Sequence, residues 1–300
     1  SPEFQVAFIR YIQRLMVEGD FVATYKFALL HALADICIEQ PIENGSQISL
    51  DEITEKFIEL YWQHSLPFKG DDAETFVFLQ NSGKQAAIIS NLLDIRQTGI
   101  QSAHQLKKSS HWSSLVSKSK RTIKEGPLWR LQILSGSVET FLYKHDKQAK
   151  YLTLNDGIAA CFRQYYELII SILRSHWLEK IRSMPANQSV IGNDGDLSEF
   201  LFGEKRNALT KVKPVFQDIQ KGQCFYCEKP LKQNATEVDH FIPWAKYPSD
   251  LAHNFVLACH TCNNNKRDHL AAQPHFEKWH VQNINNYSMQ IANELGQYIN

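Results

Sequence analysis

The chain has 300 residues, of which 43% are hydrophobic and 21% are charged, and its formal net charge is zero. This composition is that of an ordinary globular protein with enough length for two domains, and it excludes extensive disorder. The most apolar stretches, 27–38 and 165–173, contain charged residues or histidine and are too short to cross a bilayer. We therefore expect a soluble cytoplasmic protein without a membrane partner.

The N-terminal part of the chain predicts helices. Residues 1–4 have the form of a cloning scar and are left out of the fold prediction. Apolar residues recur at helical spacing over 5–18 and 21–39, and the second segment is apolar on most of its circumference, which is typical of a central buried helix. Ser49 and Glu52 have the spacing of a capping box and predict the start of another helix.

Charge is unevenly distributed along the chain. Residues 1–102 contain 7 Lys and Arg against 14 Asp and Glu, whereas residues 103–150 contain 10 against 3. A basic helix in the second segment could lie along a nucleic-acid backbone, or it could be a solvated face that pairs with the acidic N-terminal residues. Both interpretations stay open. The candidate nucleic-acid-binding side chains of this segment are Lys107, Lys108, Lys118, Lys120, Arg121 and Lys124.

The rest of the N-terminal region contains weaker signals and a boundary. The run within 71–80 predicts a short strand, and the segments 128–134 and 138–144, which are bounded by turn residues, predict a hairpin. A long helix is expected over 158–184. The polar, glycine-containing stretch 185–196 then predicts a linker between two domains.

Two Cys-x-x-Cys pairs follow the predicted linker. Cys224 and Cys227 form the first pair, Cys259 and Cys262 form the second, and thirty-one residues separate them. Paired thiolates at this spacing suit a tetrahedral structural Zn²⁺. The two remaining cysteines lie in apolar helical patterns and are expected to be buried free thiols, as in a reducing compartment.

The residues between and after these pairs resemble a known family. Asp239 and His240 lie in E-V-D-H-F-I-P, and Asn254 and Asn263 lie in H-N-F-V-L-A-C-H-T-C-N-N-N-K. Over about residues 205–272 the chain resembles the HNH nucleases, also called His-Me finger or ββα-metal nucleases, of the four-cysteine zinc type. The resemblance implies that His240 is the general base and that Asn254 steadies it. It also implies that Asp239 and Asn263, the latter at a position where many members have His, bind the catalytic divalent metal.

The chemistry of phosphodiester cleavage asks for the same residue types. It requires a deprotonated water and a cation that neutralises charge on the phosphate and the leaving oxygen. A histidine has an ordinary pKa of about 6.5 and accepts a proton near pH 7, while hard oxygen ligands suit Mg²⁺ or Mn²⁺. Lys266 and Arg267 follow Asn263 by one helical turn and predict contacts with phosphate.

The sequence therefore predicts an α+β, mainly helical protein in which a helical domain, 1–184, for recognition, sensing or partner binding precedes an HNH module, 197–272. The segment 273–300 is expected to form one helix that packs back on the body. We expect an endonuclease that nicks or cuts DNA, alone, as a homodimer or with a partner subunit, and analogy suggests bacterial restriction or anti-phage defence. A zinc-containing binding module without catalysis and an RNase remain the alternatives.

Overall fold

A computed structural model describes residues 1–69, 75–146, 148–188, 196–202, 205–232, 236–243, 246 and 251–295. The chain divides into two compact units. Unit 1 comprises Ser1–Gly99 and Ser110–Phe202, and unit 2 comprises Ile100–Ser109 and Gly203–Asn300. Helices dominate both units, and each sheet that the structure describes has two strands, which confirms the prediction of a mainly helical α+β protein. Among the described helices, none combines the length and apolar character that crossing a membrane requires.

Unit 1 is built from helices with three small antiparallel sheets, in which β1 pairs with β6, β2 with β3 and β4 with β5. Its helices are α1 Pro2–Glu18, α2 Tyr25–Glu39, α3 Leu50–His64, α4 Ala87–Arg96, α6 Trp112–Glu125, α7 Pro127–Arg130, α8 Ile158–Gln164, α9 Tyr166–Ser183, α10 Pro185–Gln188 and α11 Asp196–Phe202. Its strands are β1 Gln47–Ser49, β2 Phe68–Lys69, β3 Thr75–Phe76, β4 Ile133–Leu134, β5 Ser137–Val138 and β6 Tyr151–Thr153.

Helix α2 lies at the centre of unit 1. Its apolar side chains are buried around most of the circumference, and it contacts α3, α7, α8 and α9. The prediction of a central buried helix is therefore confirmed. The predicted capping box at Ser49 and Glu52 is also present, since each side chain accepts a hydrogen bond from the other residue's backbone N–H.

A polar network crosses this apolar core. The Oε1 of Gln80 accepts hydrogen bonds from Oγ1 of Thr24 at 2.8 Å and from Nε1 of Trp177 at 2.9 Å, and its Nε2 lies 3.1 Å from Nδ1 of His64. These four residues are buried. Because the amide nitrogen can only donate, Nδ1 of His64 is the acceptor. Burial lowers the pKa of His64 to about 3, so its imidazole is neutral in the folded unit.

Three predictions about unit 1 require correction. The basic segment is not one helix, because Ser109 is extended between α5 (Ala103–Lys108) and α6, and α5 belongs to unit 2. The predicted helix 158–184 breaks at Tyr165, where α8 ends and α9 begins. The predicted hairpin is limited to β4 and β5, because Pro127 starts the short helix α7 before them.

The division between the units falls after Phe202 rather than within the predicted linker. Helix α10 occupies 185–188, while 189–195 lie outside the described residues. Helix α11 belongs to unit 1 because Leu197 and Leu201 are buried and the ring of Phe200 packs edge-on against that of Phe68 at 5.0 Å. The burial of its apolar side chains therefore places α11 in unit 1, although the helix follows the predicted linker in the sequence.

Unit 2 has a hairpin followed by a helix at its centre. Its helices are α5 Ala103–Lys108, α12 Lys205–Ile219, α13 His260–Lys266, α14 Gln273–Trp279 and α15 Ser288–Leu295, with a 3₁₀ turn over Ala252–Asn254 and a π-helical segment over His280–Asn286. Strands β7 Thr236–His240 and β8 Phe255–Cys259 are antiparallel, with Asp239 opposite Val256 and His240 opposite Phe255. The order β7, β8, α13 is the ββα arrangement that the sequence predicts.

Alternation along the two strands divides the apolar contacts of the hairpin between two faces. Phe255 and Leu257 pack with α12 and α15, whereas Val256 packs with Phe225 and Phe241. Successive side chains of a strand point to opposite faces, so Asp239 lies on the face of Val256 and His240 on the face of Phe255. The side chains of Asp239 and His240 therefore leave β7 on opposite faces.

The C-terminal segment is not the single helix that the sequence predicts. Helix α14, the π-helical segment and α15 follow one another, and 296–300 lie outside the described residues. Asn283, within the π-helical segment, has a fully buried side chain. Ile291 and Leu295 of α15 join the apolar cluster on α12 and β8.

We predict that Gln80→Ala lowers the free energy of unfolding of unit 1 by about 2–4 kcal/mol, because it leaves the buried donors and acceptor of Thr24, Trp177 and His64 without their partner. Urea denaturation followed by tryptophan fluorescence measures this change. Gln148→Ala, at an exposed position of the same unit, should change it by less than about 0.5 kcal/mol. Equal effects of the two substitutions would contradict the network.

Candidate active site

The four cysteines converge at one point of unit 2. One Sγ atom from each of Cys224, Cys227, Cys259 and Cys262 lies within 4.8 Å of the others, and Cys227 and Cys259 are 3.9 Å apart. Four sulfurs at about 2.3 Å from one zinc ion in a tetrahedron are about 3.8 Å apart. The donor set and its spacing therefore fit a four-thiolate metal site.

The surrounding backbone favours the ionised form of one thiol. Burial raises the pKa of the Cys224 thiol. Hydrogen bonds from the backbone N–H groups of Cys227, Cys259 and Tyr226 lower it by more, so its pKa falls to about 7. The N–H of Cys259 lies 3.3 Å from Sγ of Cys224. For Cys262, burial and hydrogen bonding to Cys259 and Cys227 raise the pKa. Cys224 therefore reaches the thiolate form that binds metal at a lower pH than Cys262 does.

The carboxylate of Asp239 is buried and held from two sides. Its side chain is 9% exposed, and it accepts a hydrogen bond of 2.5 Å from the phenol of Tyr226. The ammonium of Lys266, itself 7% exposed, lies 3.1 Å from one carboxylate oxygen and 3.2 Å from the other. Burial and the charge of Asp239 raise the pKa of Tyr226, which therefore remains a neutral donor.

Asn254 hydrogen-bonds to the backbone of the two residues that follow His240. Its Oδ1 accepts from the backbone N–H of Ile242 at 2.8 Å, and its Nδ2 donates to the carbonyl of the same residue at 2.9 Å. The carbonyl of Asn254 also accepts from the N–H of Phe241 at 2.7 Å. The ring of His240 lies 4.8 Å from that of Phe255. Three hydrogen bonds thus fix the turn directly after the candidate base.

Helix α13 presents Asn263 to the same face of β7 as Asp239. The Nδ2 of Asn263 donates to Glu237 at 2.6 Å, and the ammonium of Lys266, one turn later, reaches Asp239 and the carbonyl of His240. Glu237 and Asp239 are two residues apart on β7 and share one face. The face of β7 that contains Glu237 and Asp239 therefore meets α13, through Asn263 and Lys266.

The candidate phosphate contacts have different surroundings. Lys266 is directed inward to Asp239, while Arg267 is exposed and donates to the carbonyl of Asn264. Lys107 and Lys108 lie on α5 in unit 2, where the ammonium of Lys108 is 3.3 Å from Sδ of Met289. On α6 in unit 1, Lys120 pairs with Asp51 at 2.6 Å. Lys118 and Arg121 are exposed on that helix, and Lys124 is half-buried. Contacts of these residues with nucleic acid stay predictions.

Several side chains that shape the site escaped the sequence analysis. Tyr226 and Glu237 contact Asp239 and Asn263, and the only available signal was their position beside a cysteine and beside Asp239. His260 lies between two metal-type cysteines, yet both ring nitrogens are engaged, with Glu237 at 2.6 Å and Asn264 at 2.7 Å. Both ring nitrogens of His260 therefore have partners outside the cysteine cluster.

Residues of α14 and of the π-helical segment hydrogen-bond to the turn that contains Asn254. Asn283 donates through Nδ2 to the carbonyl of His253 at 2.8 Å and to that of Phe255 at 2.9 Å. The indole N–H of Trp279 donates to the carbonyl of His253 at 2.9 Å. These bonds flank Asn254 on both sides, so a segment beyond the predicted module positions a candidate site residue. Widened helical turns are frequent at functional sites.

Comparison with protein families yields two matches. Residues 224–269 match the model of the HNH endonuclease domain, and residues 6–201 match the model named domain of unknown function (DUF8808). The first match covers the cysteine cluster, the hairpin and α13, and it supports nuclease activity of this region. No curated protein and no solved structure matches the chain.

We predict that Asn283→Ala reduces the hydrogen-exchange protection of the β8 amides by about 30-fold, since two buried carbonyls lose a donor worth about 2 kcal/mol together. Exchange measured by mass spectrometry on the full chain reports this region separately. Asn285→Ala, an exposed position of the same π-helical segment, serves as the control and should leave protection within about 2-fold. Equal protection in both variants would show that the π-helical segment does not hold the turn.

Proposed function

The chain belongs to the DUF8808 family, and we propose that its C-terminal unit is a divalent-metal-dependent endonuclease that hydrolyses phosphodiester bonds of DNA. The main support is that Asp239 lies on the face of β7 that contacts α13, the helix that contains Asn263, inside a region that matches the HNH endonuclease domain. The cysteine cluster at the base of this arrangement supports a separate structural Zn²⁺.

The oxygen donors suit a hard cation. One carboxylate and one amide carbonyl leave further coordination positions for water and for substrate phosphate, as Mg²⁺ and Mn²⁺ require. The chemistry that such a cation supplies is neutralisation of charge on the phosphate and on the leaving oxygen. Tyr226 and Lys266 hold the Asp239 carboxylate in place.

His240 is the proposed general base. It ends β7, and its backbone carbonyl is fixed by Lys266 while Asn254 fixes the two residues that follow. The imidazole takes the proton of the attacking water and thereby produces the nucleophile. Asn254 acts through the backbone rather than on the substrate. Its proposed role is to hold the backbone that follows His240 and thereby the position of the imidazole.

DNA is the proposed substrate, and the basic side chains are its proposed contacts. The segment 204–272 contains 10 Lys and Arg against 7 Asp and Glu, so this region favours a polyanion. In unit 1 the exposed Lys118 and Arg121 of α6 would contact phosphate, whereas Lys120 is already paired with Asp51. By analogy alone, we place the enzyme in the cytoplasm in restriction or anti-phage defence. One module cuts one strand per visit, so a double-strand break would require a second copy or a partner subunit.

A rival function is zinc-dependent binding of nucleic acid or protein without catalysis. The observation that favours it is the buried contact between Lys266 and Asp239, because a satisfied ion pair is also a structural element. The two functions differ in whether a change at His240 abolishes cleavage while zinc content stays the same.

The test is nicking of supercoiled plasmid with Mg²⁺ or Mn²⁺ by the full chain, by His240→Ala and by the control His176→Ala in unit 1. We expect His240→Ala to lose about 100-fold or more of the cleavage rate and the control to lose none. Zinc content, measured on all three proteins, should be equal, and EDTA should stop cleavage.

Two results would contradict the proposal. Full zinc occupancy without cleavage by the wild type would favour the binding module. Cleavage of a single-stranded RNA of matched length, with plasmid DNA left intact, would replace the proposed substrate class.

A further inference from the structure

A chain of hydrogen bonds connects α13 with β7, from Asn264 through His260 and Glu237 to Asn263. The amide Nδ2 of Asn264 lies 2.7 Å from Nε2 of His260, and Nδ1 of His260 lies 2.6 Å from Oε1 of Glu237. The other carboxylate oxygen of Glu237, Oε2, lies 2.6 Å from Nδ2 of Asn263. All three distances are within hydrogen-bonding range.

The direction of this chain follows from the chemistry of its members. The carboxylate of Glu237 only accepts, so Nδ1 of His260 carries a proton in the contact with Glu237. For the same reason, the atom of Asn263 that faces Glu237 is the amide nitrogen, because the amide oxygen cannot donate.

The orientation matters because only one end of an asparagine amide binds a hard cation. With Nδ2 held by Glu237, Oδ1 of Asn263 is directed away from it. A reversed amide would place two N–H donors where a metal ligand is needed, and an oxygen against a carboxylate. Glu237 itself lies on the same face of β7 as Asp239, two residues earlier, so it holds Asn263 from the strand that also holds Asp239.

We propose that Glu237 is a positioning residue that fixes the amide of Asn263 with its carbonyl oxygen toward the catalytic metal site, and that His260 fixes Glu237 in turn. This inference rests on the proposed function and concerns Asn263 as a ligand. Partners that orient metal ligands in this way typically contribute 10–100-fold to metal affinity.

The test is a double-substitution cycle read out by Mn²⁺ binding to the zinc-loaded full chain, with electron paramagnetic resonance of free Mn²⁺. Glu237→Ala should weaken Mn²⁺ binding by about 10-fold or more. Asn263→Asp offers an oxygen in either orientation and needs no partner to orient it. Glu237→Ala in the Asn263→Asp background should therefore change affinity by less than about 2-fold, or strengthen binding by removing a like charge.

Controls separate this role from general structure. Glu277→Ala removes an exposed carboxylate of unit 2 on α14 and should leave Mn²⁺ affinity and plasmid cleavage unchanged. Zinc content should be equal in every variant, because Glu237 is outside the cysteine cluster. A fall in zinc content together with Mn²⁺ affinity would overturn the positioning role in favour of a structural one.

The outcomes also separate this inference from the proposed function. Unchanged Mn²⁺ affinity in Glu237→Ala, or an equal loss in both backgrounds, overturns the role of Glu237 while a cleaving wild type upholds the nuclease. A wild type that neither cleaves nor binds Mn²⁺ more tightly than Asp239→Asn overturns both.

Discussion

The convergence of four thiols is the constraint on which the candidate site depends. Tyr226 lies between Cys224 and Cys227, β8 ends at Cys259, and Asn263 directly follows Cys262. Holding the cysteines together therefore brings the phenol that contacts Asp239 and the start of α13 to the same strand. Among its described residues, unit 2 has two apolar clusters around its hairpin, and a metal held by the cysteines would add stability to them.

The electrostatics of the site centre on Asp239. A buried carboxylate is costly unless hydrogen bonds and an opposite charge compensate it, and Tyr226 and Lys266 provide both. Lys266 also binds the carbonyl of His240, so the same ammonium connects the candidate metal ligand with the candidate base. The opposite face of the strand has a different role, since His240 packs near Phe255 and is held through the backbone by Asn254.

The sequence predicted those parts of the candidate site that depend on short-range spacing of residues. The cysteine pairs and the ββα order are local patterns, and the HNH match includes the predicted residues Asp239, His240, Asn254 and Asn263. Glu237 and Tyr226 escaped prediction because their roles arise from tertiary contacts with Asn263 and Asp239, which no periodicity records. Asn283 escaped for the same reason, because its role consists of hydrogen bonds to the carbonyls of His253 and Phe255, which are distant in the sequence.

Domain limits were harder to predict, because burial rather than composition decides them. Helix α11 adjoins the polar stretch 185–196, yet its leucines are buried in unit 1. Helix α5 lies within the same basic run as α6, yet α5 groups with unit 2 and α6 groups with unit 1. A run of like charge along the chain therefore did not mark one unit.

The central claim is that one structural and one catalytic metal site lie side by side in unit 2. Crystals of the full chain soaked in Mn²⁺ and measured at the zinc and manganese absorption edges test it directly. The account predicts a zinc peak among the four cysteine sulfurs and a separate manganese peak between the side chains of Asp239 and Asn263. A zinc peak without manganese at Asp239, or manganese bound elsewhere in the unit, would contradict it.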